Sequence, residues 1–200
     1  GPDDGENCLY RTHPNGGGLR RLLEEAGYEV HQASYRSIIG ERTDLFDWLP
    51  KFRTQMDRIL TTARQDERLP AGQKNQIVAF KSCFPNSSFV GEGQRPGDAS
   101  GPELTVWNAR ATMTALREEL AKQPDVLFVY LTAPPLAPVI PRQPAWKWLA
   151  KSLLGKAQSE ESLRRSGELA RRFNAWMLDP DGWLAGYPHS NVVVFDYHRT

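Results

Sequence analysis

Short apolar segments alternate with amphipathic helical patterns over most of this 200-residue chain. The segments at 77–82, 126–132 and 191–196 are rich in Val, Ile, Leu and Phe and run into polar or proline-containing loops, as buried strands do. Residues 28–33 alternate β-forming side chains and predict a further strand. Because strands that alternate with helices usually form a parallel sheet covered on both faces, the pattern predicts an α/β fold, doubly wound in the flavodoxin-like manner.

Four amphipathic patterns predict the helices. The second of them is expected to begin near Pro50, because proline is favoured in the first turn of a helix. A long excursion from Leu136 to about Ser162 carries Trp146 and Trp148 and is expected to be partly helical and to lie over one edge of the fold. The predicted helices span about 18–26, 50–66, 106–120 and 163–177.

The length fits a single domain over 1–200, and the composition excludes several classes of partner. Lys and Arg number 25 and Asp and Glu 24, so a formal charge of +1 gives no electrostatic reason to expect nucleic acid. No apolar run approaches the roughly 18 residues that a membrane span needs, and the N-terminal residues lack a signal-peptide pattern. Cys8 and Cys83 are too few for a disulfide framework and lack metal-site spacing, so neither a metal nor another cofactor is predicted. The cellular compartment and the redox state of these cysteines stay open.

The predicted sheet lacks the strand that should precede the first helix. In a doubly wound order that strand lies near the centre, and its absence leaves neighbouring strands without hydrogen-bond partners. We therefore expect the natural protein to begin upstream of residue 1.

Three sequence blocks stand out: AFKSCFPNSSF (79–89), VYLTAPPLAP (129–138) and ARRFNAWM…NVVVFDYH (170–198). Together they resemble bacterial hydrolases of the SGNH/GDSL type. The first is distinctive, because members of this family carry a KSCFPNS-like loop after the third strand. The resemblance covers nearly the whole chain and implies hydrolysis of an acyl ester by a serine nucleophile, with glycine and asparagine oxyanion donors and a downstream Asp-x-x-His pair.

The nucleophile and the general base of the family have no clear counterpart in this sequence. The family's nucleophile loop aligns with the first seven residues, where Gly5 matches a glycine but Asp3 or Asp4 occupies the serine position. The Asp-x-x-His pair is expected beyond the last residue, since Asp196 and His198 have Asp-x-His spacing. We therefore expect this 200-residue chain itself to be inactive.

The remaining candidate site residues follow the predicted strands. Gly40 and Asn86 are the oxyanion candidates that the resemblance implies, although a loop glycine and a turn-forming asparagine are the simpler interpretations. Lys81, Ser82 and Cys83 are candidate pocket-lining residues. A catalytic thiol at Cys83, assisted by a histidine, is an alternative, but inert buried cysteines are commoner.

Three function hypotheses follow. The first is an SGNH-like esterase acting by serine acylation and deacylation on a small-molecule, carbohydrate or lipid acyl ester. The second is a non-catalytic relative that keeps the fold as a binding module. The third is a flavodoxin-like nucleotide or phosphate binder, which is the weakest because no glycine-rich phosphate loop follows a predicted strand.

Overall fold

The computed structural model describes residues 12–13, 16–33, 37–82, 84–135 and 160–199. Within these ranges the chain is a mixed α/β protein with four α-helices and a small parallel sheet. Two two-residue strands pair as an antiparallel ribbon before the first helix. The elements are β1 (Thr12–His13), β2 (Gly16–Gly17), α1 (Leu19–Glu25), α2 (Leu45–Leu60), β3 (Ile77–Lys81), α3 (Val106–Leu120), β4 (Leu127–Leu131), α4 (Glu160–Leu178) and β5 (Val192–Phe195).

The main sheet has the order β3-β4-β5, and both pairs of neighbours are parallel. Its register places Ala79 beside Val129 and Val129 beside Val193. Parallel neighbours need a crossover between them, and α3 and α4 lie in those crossovers. The predicted strands at 77–82, 126–132 and 191–196, and their parallel arrangement, are therefore confirmed.

One face of this sheet carries the hydrophobic core. Phe80, Phe128 and Tyr130 point to that face and are almost fully buried. The Phe52 ring of α2 lies 5.0 Å from the Phe80 ring and 5.8 Å from the Phe128 ring, between ring centroids. Buried side chains of α3 and α4 join the same cluster, with Trp183 packed edge-on against Tyr130. The three longer helices thus pack on a single face.

The opposite face of the sheet is largely open among the described residues. Ile77, Val193 and Phe195 are 44%, 42% and 50% exposed. Leu127 and Val129 between them are half-buried. The predicted doubly wound architecture has helices on both faces of the sheet. Among the described residues, helices cover one face only.

Two sequence predictions about elements were wrong. Residues 28–33 form no strand, because they pair with no other segment that the structure describes, and extended backbone without a ladder is not a strand. Helix α2 begins at Leu45 rather than near Pro50 and ends at Leu60 rather than near 66. Pro50 lies in its second turn, and the chain beyond Leu60 turns through a short 3₁₀ segment at Arg64–Asp66.

Several sequence predictions lie outside the described residues. These are the nucleophile-loop positions Asp3, Asp4 and Gly5, both cysteines, and most of the excursion that follows Pro135. Among the described helices none is long and apolar enough to cross a membrane.

Candidate functional site at the carboxyl end of the sheet

The carboxyl ends of the three parallel strands lie at one edge of the sheet. Ser82, Thr132 and Asp196 directly follow β3, β4 and β5. In open α/β sheets this edge is where ligands usually bind. The side chains that surround it are therefore the first candidates for a site.

Asn86 joins the loop after β3 to the beginning of α2. Its side-chain oxygen accepts a hydrogen bond from the Leu45 backbone N–H at 2.6 Å, and its amide nitrogen donates to the Asp44 carboxylate at 2.8 Å. The residue is 6% exposed. In this arrangement the amide satisfies a helix N-terminus, a group that otherwise lacks a partner within the helix.

Gly40 lies in a loop that a buried lysine holds in place. The Gly40 N–H donates to the Ser37 hydroxyl at 3.0 Å. The Lys51 ammonium group donates to the backbone carbonyls of Ile39 (2.7 Å), Arg42 (2.8 Å) and Glu41. Burial lowers the pKa of Lys51, and nearby carboxylates partly oppose that shift. Residues 37–44, which we name the glycine loop, are thus tied to α2 through Lys51 and to the loop after β3 through the contact between Asp44 and Asn86.

The two oxyanion candidates therefore lie on loops that contact each other at the first turn of α2. The Gly40 N–H and the Asn86 amide nitrogen already donate to protein acceptors in this structure, the Ser37 hydroxyl and the Asp44 carboxylate. A ligand oxygen would have to replace those acceptors, as happens when catalytic hydrogen bonds tighten only in the substrate complex.

The pocket candidates that follow β3 do not share one environment. Lys81 is exposed and points to the open face of the sheet, whereas Ser82 is fully buried on the core side. The Ser82 hydroxyl makes no regular hydrogen bond to the described residues but is close to the Tyr130 phenol. Burial raises the pKa of Tyr130 to about 12, and the Ser82 hydroxyl opposes that rise. Cys83 lies outside the described residues.

His198 is held against the end of β4. Its backbone N–H donates to the Thr132 hydroxyl at 2.9 Å, and its ring Nδ1 lies 3.2 Å from the Ala133 carbonyl oxygen. This contact favours the tautomer in which Nδ1 carries the proton and Nε2 is free to accept one. The nearby Asp196 has one carboxylate oxygen that is buried and has no hydrogen-bond partner among the described residues, and its other oxygen lies 3.5 Å from Arg199 Nε.

A complete catalytic triad is not assembled by the described side chains. The hydroxyls of Ser37, Ser87 and Ser166 bond to backbone groups, and the His198 ring contacts a backbone carbonyl. The same part of the chain contains no group of three or more His, Cys, Asp or Glu residues able to hold a metal ion. At the carboxyl end of the sheet, the described residues provide one half-buried histidine, two candidate oxyanion donors and a buried carboxylate oxygen.

Sequence reasoning missed Asp44 and Lys51. A signal for Asp44 was present, because Asp44 and Asp47 have capping-box spacing and the Asp44 N–H donates to the Asp47 carboxylate at 3.0 Å. Placing the helix start at Pro50 concealed this signal. Lys51 had no comparable signal, since its partners are backbone carbonyls of a loop whose path the sequence does not specify.

Fold and site together define a mixed α/β domain with a candidate site at the carboxyl end of a parallel sheet. No protein-family model matches the chain, and neither a curated protein nor a solved structure matches it.

Proposed function

We propose that this chain is a flavodoxin-like α/β domain of the SGNH/GDSL type and that its function is the hydrolysis of carboxylic esters. The observation that carries the proposal is the contact between the glycine loop and the loop of Asn86 at the carboxyl end of β3. The sequence resemblance assigns oxyanion donors to these two loops, and a working oxyanion site needs both donors within reach of one oxygen.

The reaction is an acyl transfer through the enzyme. A serine hydroxyl attacks the ester carbonyl, a histidine takes the hydroxyl proton and passes it to the leaving alcohol, and water then cleaves the acyl-enzyme. The Gly40 N–H and the Asn86 amide stabilise the negative oxygen of each tetrahedral intermediate. The substrate class is a small-molecule, carbohydrate or lipid acyl ester.

The test compares Asn86→Ala with Asn75→Ala in the protein expressed from its complete natural gene. Asn75 is a matched control, because its side-chain amide is likewise hydrogen-bonded within the protein, to the backbone carbonyls of Ile59 and Thr62. Unlike Asn86, it lies before the amino end of β3. With p-nitrophenyl acetate we expect Asn86→Ala to lower kcat by about 10²–10³ and to change KM little. Asn75→Ala should leave kcat within about twofold, whatever its cost in stability.

A kcat for Asn86→Ala no lower than that for Asn75→Ala would contradict the oxyanion role. The 200-residue chain alone is expected to hydrolyse p-nitrophenyl acetate no faster than buffer, since no serine in it is assignable as the nucleophile. Turnover by this chain that is lost on Ser82→Ala would instead identify Ser82 as the nucleophile, and loss on Cys83→Ala would identify a thiol.

A non-catalytic binding module of the same fold is the second candidate. Two observations favour it: the His198 ring contacts the Ala133 carbonyl, and the resemblance aligns Asp3 or Asp4 with the family's serine. If the natural protein hydrolyses no short-chain ester and no fluorophosphonate probe labels a serine, this second function replaces the first.

A further inference from the structure

Two arginines and two tryptophans form an alternating stack at the outer surface of α3 and α4. The guanidinium carbon of Arg95 lies 4.4 Å from the centre of the Trp107 ring, and that of Arg110 lies 4.9 Å from it. Arg110 also lies 5.0 Å from the centre of the Trp176 ring. We name these four residues the Arg–Trp stack. Stacking uses the faces of the guanidinium groups and leaves their N–H edges available.

The positive charge of the stack is poorly compensated. Neither Arg95 nor Arg110 forms a hydrogen bond or an ion pair with any described residue, and the Nε atom of Arg110 is buried without an acceptor. Arg172 adds a third guanidinium, and the nearby Glu92 carboxylate is paired with it. Burial lowers the pKa of Arg110 and the charge of Arg172 lowers it further; the Glu92 carboxylate opposes this shift, and the charge of Arg95 adds to it.

A groove of about 620 Å³ adjoins the stack, and Arg95 forms part of its wall. Its other polar lining comes from Gln94, Asp98, Glu103, Thr105 and Asn108. The Asn108 amide already bonds the Asp98 N–H and the Glu103 carbonyl, so the side chains of Gln94, Asp98 and Glu103 are the ones that bind hydroxyl groups. The lining loop is held to the first turn of α3 by backbone bonds, for example from the Trp107 N–H to the Glu92 carbonyl at 2.9 Å. The groove is therefore already formed without a ligand.

Packing alone does not account for this arrangement. A loop could be held on an indole ring by any flat apolar side chain, whereas burying part of a guanidinium without an acceptor costs free energy. Guanidinium edges are suited to the paired oxygens of a carboxylate or a phosphate, which they bind in a bidentate manner.

We propose that the Arg–Trp stack and the adjoining groove bind a small ligand in which a carboxylate or phosphate is attached to a hydroxyl-rich body, such as a sugar acid or a sugar phosphate. The oxyanion lies against Arg95, the arginine of the stack that lines the groove, and the hydroxyl groups lie along the groove. This site is separate from the carboxyl edge of the sheet and does not depend on the proposed esterase activity.

The experiment is a binding titration with glucuronate and glucose 6-phosphate, with neutral glucose as the matched ligand and with chloride holding the ionic strength constant. We expect saturable binding of at least one of the two anions by calorimetry and a rise in Tm of about 3–5 °C at roughly ten times the Kd. Glucose should produce neither effect. Binding of glucuronate alone identifies a carboxylate, and binding of glucose 6-phosphate alone identifies a phosphate.

Variants locate the site. Arg95→Met keeps the apolar stem and removes the guanidinium that lines the groove, so it should weaken binding at least about tenfold. Arg171→Met is the matched control, because Arg171 is exposed on α4 and makes no ring contact or ion pair with the described residues, so its affinity should stay within about twofold. Arg95 is exposed on the loop, so its substitution should leave the fold intact.

The proposal is overturned if neither anion binds more tightly than glucose. It is also overturned if Arg95→Met binds both anions with the affinity of the unsubstituted protein.

Discussion

Lys51 is only 8% exposed, and its ammonium group holds three carbonyls of the glycine loop. Lys51→Met keeps the packing of the stem but leaves these carbonyls without their donor. We expect a loss of about 2–3 kcal/mol in the free energy of unfolding, measured by urea denaturation, and faster amide exchange in residues 37–44. Lys74→Met is the control, because Lys74 is exposed and its ion pair with Asp125 is a surface pair. Its cost should stay below about 1 kcal/mol, and equal costs for the two variants would contradict the role of Lys51.

The lowered pKa of Glu119 predicts that the stability of the protein depends on pH. Hydrogen bonds from Lys122 and Arg53 lower the pKa of this nearly buried carboxyl below its usual 4.5, although burial acts in the opposite direction. Because the folded pKa is the lower one, the ion pairs stabilise the protein above pH 4.5 and lose their effect as the pH falls through the folded pKa. Glu119→Gln should therefore cost about 1 kcal/mol at pH 7 and progressively less in acid.

The control for Glu119 is Glu118→Gln on the same helix, since Glu118 is exposed and forms no ion pair with the described residues. Urea denaturation of both variants between pH 7 and pH 3 gives the comparison. A cost for Glu119→Gln that is unchanged across that range would show that the charge of Glu119 does not stabilise the fold.

At the scale of elements, the sequence patterns correctly predicted the helices and strands whose positions depend on local periodicity. Helix α3 and the strands β3, β4 and β5 lie within a residue or two of their predicted bounds, because an apolar run or a 3.6-residue repeat is a local property. The strand predicted at 28–33 failed because a strand exists only with a partner, and pairing depends on residues far away in the chain. The contact of Asn86 with Asp44, 42 residues apart, was unpredictable for the same reason.

The loop that lines the groove depends on a close approach at Gly97. Gly97 has φ +90°, and a Cβ there would lie 2.0 Å from the Trp107 carbonyl oxygen. Gly72 has a similar φ of +83° but nothing within 4 Å of an added Cβ. Gly72→Ala should therefore cost about 1–2 kcal/mol for the backbone conformation alone, and Gly97→Ala clearly more, because the loop must also move away from α3.

Thermal and urea unfolding of the two glycine variants measure this difference. The Gly97 variant should also lose affinity for any ligand of the groove, while the Gly72 variant keeps it. Equal destabilisation of the two variants would show that the loop does not pack closely on α3.

At the scale of the whole molecule, the sequence predicted the class of the fold but not how the sheet is covered. Continuous apolar runs such as residues 77–80 predicted strands that are buried on both faces. In the described structure one face carries α2, α3 and α4, and the other exposes Ile77 and Phe195. Which elements cover a face depends on how the chain returns across the sheet, and a strand's own sequence does not contain that information.

The same substitution at two neighbouring valines of β5 tests the difference between the two faces of the sheet. Val192 is 6% exposed on the core face and Val193 is 42% exposed on the open face. Val192→Thr places a hydroxyl among the apolar side chains of the core and should cost about 1–2 kcal/mol. Val193→Thr should stay within about 0.5 kcal/mol, because threonine is as favourable as valine on an exposed strand face. Urea denaturation of both variants decides the matter: similar costs would mean that the outer face is also covered, as the doubly wound architecture requires.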